Sequence, residues 1–158
     1  MDETAARSAF ETALQTYEPG FGTFFLTRLL DLDIAYPEDG AVVRFPVRDF
    51  LFNPAGTLHG GIIATVMDVS MGHLVNHAYG AGAPTLEMKV QYLRPLSRGN
   101  ARCQARFLQR GRSIAFLESR LYDDAGKLVA VATSTWKAPS SDGDAYPNVP
   151  AVVPPSIT

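Results

Sequence analysis

The residues from Asn53 to Asp68, NPAGTLHGGIIATVMD, carry the side chains best suited to chemistry. Asp68 lies in an otherwise apolar stretch, where an unpaired carboxylate loses hydration at considerable cost. A carboxyl group in such surroundings is typical of a general base or a nucleophile. His59, Gly60 and Gly61 open this stretch, and the first N–H groups of a helix have no intrahelical partners. Since glycine allows close approach, Gly61 is a candidate oxyanion donor and Gly60 a candidate substrate contact.

Residues 60–79 predict one long helix, apolar on nearly every face, which is typical of a helix buried on all sides. At roughly 1.5 Å of rise per residue, Asp68 lies about 10 Å beyond Gly61 along the helix axis. The two residues of one chain are therefore expected to lie too far apart to act on one carbonyl group. A single sheet covers about half of such a helix, so we expect a second copy of the chain to cover the rest.

The other periodic segments predict a mixed α+β domain. A helix is predicted over 3–17, a hairpin over 29–48, and further strands over 85–94, 101–107, 113–122 and 127–137. Pro46 indicates that its strand lies at a sheet edge or carries a bulge. We expect one domain over 1–138, in which 1–28 is a helical extension, and a proline-rich tail over 139–158.

The composition argues against several functional classes. A formal net charge of −2 gives no electrostatic basis for binding nucleic acid or an anionic membrane. The one cysteine, Cys103, cannot form an intrachain disulfide and lies on the apolar face of a predicted strand, as a small core residue would. Because the first residues are acidic and lack an apolar run, we expect no secretory signal and a cytoplasmic protein.

The central segment resembles the hotdog fold, and within it the PaaI-like acyl-CoA thioesterases, which are named for the phenylacetate pathway. Their signature is an Asn, a Gly, a His-Gly-Gly and an acid nine residues after the His, here Asn53, Gly56, His59 to Gly61 and Asp68. A second matching block, TLEMKVQYLRP, runs from Thr85 to Pro95. The resemblance extends over about residues 29–137. It implies an antiparallel sheet of five or six strands wrapped around one long buried helix.

The resemblance also implies active sites shared between the subunits of the expected homodimer, and whether two dimers pack into a homotetramer stays open. Asp68 and Thr85 of one subunit would face Asn53, His59 and Gly61 of the other. Asp68 would be a general base for water or a nucleophile that forms an anhydride, and the sequence leaves both open. Asn53 would orient the water or the thioester, His59 would shape the loop and help to position the thioester, and Thr85 would assist in binding water.

Several further residues are candidates for substrate binding. Arg94, Arg110 and Arg112 suit the phosphates of coenzyme A, because guanidinium pairs well with phosphate. Phe21, Phe24, Phe25, Phe50 and Phe52 indicate either an apolar or aryl acyl site or part of the core, and Tyr92 and Trp136 are expected in the core.

No metal and no redox cofactor are expected. His73 and His77 lie four residues apart on one helix face, but no third ligand completes a metal site. We interpret both as helix residues near the C-terminal end, where an imidazolium is favoured.

The leading interpretation is an acyl-CoA thioesterase that releases a carboxylic acid and free coenzyme A. Two alternatives stay open. One is a hotdog hydratase or dehydratase that acts on acyl thioesters and uses His59, although the spacing to Asp68 fits the thioesterase pattern better. The other is a non-catalytic acyl-CoA-binding module. Residues 1–28 lack the basic helix-turn-helix character that a DNA-binding regulator would need.

Overall fold

The computed structural model describes residues 1–138, which form three α-helices and a six-stranded sheet. In chain order the elements are α1 (Glu3–Thr16), α2 (Phe25–Leu29), β1 (Asp33–Ala35), β2 (Ala41–Pro46), α3 (Gly60–Tyr79), β3 (Thr85–Tyr92), β4 (Asn100–Arg110), β5 (Ile114–Tyr122) and β6 (Leu128–Lys137). The predicted tail over 139–158 lies outside the described residues, and the domain boundary before it stays a prediction.

The sheet is antiparallel throughout, in the order β1-β2-β4-β5-β6-β3, and α3 packs against it. The core lies between the two and joins helix residues such as Val66, Met67 and Met71 to sheet residues such as Val43 and Leu117. This arrangement confirms the predicted sheet around one long helix. The position of β2 corrects one detail, since β2 lies between β1 and β4 and is not an edge strand. Pro46 is tolerated because it is the last residue of β2, beyond the residues that pair with β1.

The helix α3 has the bounds predicted from the sequence. His59 caps the first turn, and Gly80 ends the helix in the left-handed region with φ of 73°, where glycine carries no side-chain penalty. Within one chain the sheet covers only one side of the first half of α3, as expected of a single sheet, and the predicted cover of the other side by a second copy stays a prediction. Gly61 is exposed, and Ala64, Thr65 and Asp68 are half-buried. These four residues share one helix face and are called the open stripe below.

Strand β3 forms one edge of the sheet and, within residues 1–138, pairs only with β6. Met88 and Val90 are half-buried against the core, whereas Leu86 and Tyr92 are 56% and 54% exposed. The expectation that Tyr92 is a core residue is therefore wrong. A register shift between Thr85 and Glu87 explains part of the difference, since it separates Leu86 from the alternation that follows.

The N-terminal extension is helical, as predicted. Asp2 caps α1 by accepting a hydrogen bond from the N–H of Ala5 at 2.9 Å. Phe10 packs edge-on against Phe25, with ring centroids 5.4 Å apart, and this contact joins α1 to α2. No helix within residues 1–138 combines the length and the apolar character needed to cross a membrane.

Candidate active site

Asp68 and Thr85 form a hydrogen-bonded pair within one chain. The Thr85 hydroxyl, at the first residue of β3, donates to Oδ1 of Asp68 at 2.8 Å. Burial raises the pKa of Asp68, and the Thr85 hydrogen bond acts in the opposite direction with a smaller effect. A carboxylate whose pKa is raised is a stronger base, and the hydroxyl fixes its orientation. The pair can therefore accept a proton from a water molecule placed over the open stripe.

The start of α3 is capped by His59, whose Nδ1 accepts a hydrogen bond from the N–H of Gly61 at 2.9 Å. The predicted oxyanion donor is thus already engaged within the chain. A substrate oxygen can use the Gly61 N–H only if the exposed His59 ring turns away or shares the proton. Both residues are at the surface, so the first turn stays accessible to a ligand.

Asn53 holds the loop that leads into α3. Its Oδ1 accepts hydrogen bonds from the backbone of Ala55 at 2.9 Å and Thr57 at 3.4 Å, and its Nδ2 donates to the Thr57 hydroxyl at 3.0 Å. This is the turn-forming use of asparagine. Gly56 completes the turn with φ of 77°, a conformation that residues with a side chain rarely adopt. In this structure the polar atoms of Asn53 serve the loop, and its predicted role toward water or thioester stays a prediction.

A groove of about 290 Å³ runs along the start of α3 and contains three predicted site residues, Asn53, Gly60 and Arg94. Tyr92 also lines it, and sequence reasoning missed this residue because it placed Tyr92 in the core. The Tyr92 hydroxyl donates to the Gly60 carbonyl at 3.0 Å. A Cβ atom at Gly60 would lie 3.2 Å from Cζ of Tyr92, so glycine allows this close contact. The position of Tyr92 at the end of an edge strand is the signal that could have revealed it.

The predicted catalytic residues form two groups in one chain. Asn53, His59 and Gly61 lie at the start of α3, whereas Asp68 and Thr85 lie about 10 Å further along its axis, seven residues of helical rise beyond Gly61. The groove at the start of α3 includes neither Asp68 nor Thr85. A single chain therefore does not bring the carboxylate and the Gly61 N–H to one carbonyl group.

The three predicted phosphate-binding arginines do not lie together. Arg94 lines the groove at the start of α3 and donates to the carbonyl of Leu128 at 2.7 Å. Arg110 lies at the opposite end of α3, where it donates to the carbonyl of Ala78 and its guanidinium lies 4.7 Å from the centre of the Tyr79 ring. Arg112 follows it closely in sequence and is exposed. Because α3 has 20 residues, its two ends are about 30 Å apart, and one chain cannot bring all three arginines to one ligand.

His73 differs from its interpretation as a favoured imidazolium. It is buried, its Nδ1 lies 2.7 Å from the Tyr36 hydroxyl, and burial lowers its pKa, which disfavours the imidazolium form. His77 is exposed and stacks on Tyr36.

Cys103 is buried as predicted, and burial raises the pKa of its thiol, which makes it a poor nucleophile. Within residues 1–138, no cluster of three or more His, Cys, Asp or Glu side chains has the geometry to hold a metal ion.

Comparisons with known proteins agree with this geometry. The family model of the thioesterase superfamily matches residues 55–130. Acyl-coenzyme A thioesterase 13 of Homo sapiens is 35% identical over 97 residues, which cover 60% of this chain and 69% of that protein. The mouse protein of the same name is 34% identical over 120 residues, covering 74% of this chain and 84% of that protein.

Solved structures of similar proteins also have this fold. A protein from Bacillus halodurans, crystallised with CoA, has a TM-score of 0.74 and 26% identity, and the match covers 86% of this chain and 89% of that one. A phenylacetic acid degradation-related protein from Ralstonia eutropha has a TM-score of 0.66 and 32% identity, covering 71% and 88% of the two chains. The predicted hotdog fold is confirmed. The chain belongs to the thioesterase superfamily and is a thioester hydrolase.

Proposed function

We propose that the protein hydrolyses acyl-CoA thioesters to a carboxylic acid and free coenzyme A. The observation that carries the proposal is the pair formed by Asp68 and Thr85, a half-buried carboxylate oriented by a hydroxyl on the accessible face of α3. The related acyl-coenzyme A thioesterases and the CoA complex of a structural neighbour support coenzyme A as the carrier of the acyl group. Membership of the thioesterase superfamily favours hydrolysis over the hydratase and binding-module alternatives.

In the proposed reaction, oxygen adds to the thioester carbonyl, the carbon–sulfur bond breaks, and the coenzyme A thiolate leaves and takes up a proton. Asp68 either removes a proton from the attacking water or attacks the carbonyl itself to form an anhydride that water then opens. A single turnover in ¹⁸O-labelled water tests for attack by Asp68. Label in the Asp68 carboxylate indicates an anhydride that water opens at the aspartyl carbonyl, whereas label confined to the released acid indicates that water adds to the acyl carbonyl, either directly or in the anhydride. We further propose that the reaction needs no metal, so activity should survive dialysis against a chelator.

We also propose that the active site lies at the interface of a homodimer. Two surfaces support this. The open stripe of α3 is only half covered by its own sheet, and the edge of β3 presents backbone hydrogen-bonding groups that a second strand can pair with. In such a dimer, Asp68 and Thr85 would face Gly61 of the partner subunit, which avoids the separation of about 10 Å within one chain. Arg94, in the groove beside Gly60, is our candidate for a coenzyme A phosphate.

The activity is tested by replacing Asp68 with asparagine, which keeps the shape and removes the base. Wild-type protein and the variant are assayed for free thiol release from a panel of short, medium, long and aromatic acyl-CoAs. We expect a loss of at least about 10²-fold in kcat/KM, which is typical when a general base is removed. Asp39→Asn, at an exposed turn residue, is the matched control and should retain full activity. Thiol release near the wild-type rate by Asp68→Asn would exclude Asp68 from the mechanism.

The shared site is tested by complementation between two inactive variants. Gly61→Pro removes the N–H at a first-turn position, where a helix tolerates proline, and Asp68→Asn removes the carboxylate. If each site takes these two groups from different subunits, half of the dimers in an equal, randomly exchanged mixture carry one intact site. The mixture should then recover about a quarter of wild-type activity. An inactive mixture, or an active monomer in sedimentation experiments, would contradict the shared site.

A further inference from the structure

Phe21, in the N-terminal extension, has an exposed ring beside the two segments that carry Asp68 and Thr85. It lies between α1 and α2, and 44% of it is exposed. By contrast, Phe25 packs against Phe10, and both Phe50 and Phe52 pack against the core. Phe21 therefore has apolar surface that the fold of one chain does not use.

Two glycines leave the space that the Phe21 ring occupies. A Cβ atom at Gly82 would lie 3.0 Å from Cε2 of Phe21, and one at Gly72 would lie 4.0 Å from its Cζ. Gly72 follows Asp68 by four residues on the same face of α3, and Gly82 precedes Thr85 by three residues. The ring thus lies against both segments that carry the catalytic pair. Gly72, beside which the ring lies, is about 6 Å beyond Asp68 along the helix axis, on the side away from the Arg94 groove of the same chain.

Buried aromatic side chains pack behind the Phe21 ring. Its edge packs on the buried His73 ring, with centroids 4.9 Å apart and planes at 67°. The Tyr36 hydroxyl lies 2.7 Å from Nδ1 of His73 and fixes the imidazole. Trp136, which is 3% exposed, fills the space beside Gly72, where a Cβ atom would lie 3.1 Å from its Cη2. Phe21 consequently cannot move deeper into the core without displacing a packed aromatic residue.

We propose that Phe21 forms the end wall of the acyl site and restricts the enzyme to compact acyl groups. This rests on the proposed function, because it assumes that a thioester carbonyl lies beside Asp68 with its coenzyme A directed along α3 toward Arg94 of the same chain. The acyl group then extends along α3 toward Phe21 and meets the ring after about one helical turn. A compact group buries apolar surface against the ring, whereas a long chain collides with it. Phe21 lies outside residues 55–130, so this restriction is a property added by the N-terminal extension.

The test compares hexanoyl-CoA with dodecanoyl-CoA in wild-type protein and in Phe21→Ala and Phe21→Leu. We expect the wild type to prefer hexanoyl-CoA. Phe21→Ala should raise the ratio of kcat/KM for dodecanoyl-CoA over hexanoyl-CoA by at least about tenfold, the lower end of what one methylene contributes in an apolar pocket. Phe21→Leu should give an intermediate ratio. Phe10→Ala, another exposed phenylalanine of the extension, is the matched control and should leave the ratio unchanged.

The outcomes separate this inference from the proposed function. Thermal melting first identifies which Phe21 variants are folded, and Phe21→Leu provides the comparison if Phe21→Ala unfolds. An unchanged ratio in a folded variant, together with loss of activity in Asp68→Asn, would overturn the role of Phe21 and leave the acyl-CoA thioesterase intact. A wild type that prefers dodecanoyl-CoA would likewise overturn the role of Phe21 and leave the acyl-CoA thioesterase intact. A wild type that releases no thiol from any acyl-CoA would overturn both.

Discussion

Replacing Thr85 with valine tests how the structure sets the basicity of Asp68. Valine keeps the shape of the side chain and removes the hydroxyl that donates to Oδ1 at 2.8 Å. Burial raises the pKa of Asp68 and this hydrogen bond opposes it, so without the hydroxyl the pKa rises further. A hydrogen bond to a charged group contributes about 1.5–3 kcal/mol, and the lower value applies because Asp68 is half-buried. About 1.5 kcal/mol corresponds to roughly a tenfold change in rate.

The expected result is an acid limb of the pH–kcat/KM profile that moves to higher pH. At low pH, where Asp68 is mostly protonated in both proteins, Thr85→Val should be about tenfold slower than wild type. The rates should converge at high pH, where Asp68 is ionised in both proteins. Reactions run at each pH are quenched, and released coenzyme A is measured at one fixed pH so that the thiol dye responds equally. Thr85→Ser should restore the limb, and Thr133→Val, the same change at an exposed strand position, should not move it. A limb that stays in place or moves to lower pH would refute this account of Asp68.

Three further predictions concern stability. Because burial raises the pKa of Asp68, the neutral form is favoured in the folded state and its contribution is lost as the pH rises through the folded pKa. Asp68→Asn should therefore raise Tm at pH 7, with no difference below the ordinary Asp value of about 3.9; equal melting curves at pH 7 would count against burial as the cause. His59→Ala removes the cap on Gly61 and should cost about 1 kcal/mol, seen as a fall of about 2–4 °C in Tm, whereas His59→Asn should retain the cap. Gly72→Ala places a Cβ atom 3.1 Å from the buried Trp136 and should lower Tm despite the better helix propensity of alanine, and a higher Tm would show that the core can yield there.

The sequence predicted the elements well where the signal is local. The bounds of α3 follow from a cap at His59 and a left-handed glycine at position 80, which act through neighbouring backbone groups. The strands follow from alternation, and Cys103 is buried because it lies on the inward face of β4. The prediction fails at the two ends of β3. Tyr92 and Leu86 alternate correctly in sequence, yet they lie where β3 ends and where its register shifts.

Family signatures pointed to the site residues, but their contacts could not be derived from spacing. The Asn53 side chain serves its own turn, and His59 occupies the N–H of Gly61. Neither hydrogen bond is visible in a pattern of residue types, because each depends on the direction of a side chain. The arginines show the same limit, since a basic residue near a motif in sequence can lie at the opposite end of a long helix, as Arg110 does.

The sequence alone determined which elements form and which residues could do chemistry, because caps, turns and alternation act over a few residues. Tertiary structure alone decided which of those residues meet. It joins Thr85 to Asp68 across 17 residues and brings Phe21 against Gly72 and Gly82. It also decides which residues of α3 form the open stripe, since the packing of the sheet fixes which side of the helix is covered. Such contacts depend on the packing of the whole sheet against α3, and no local pattern in the chain encodes them.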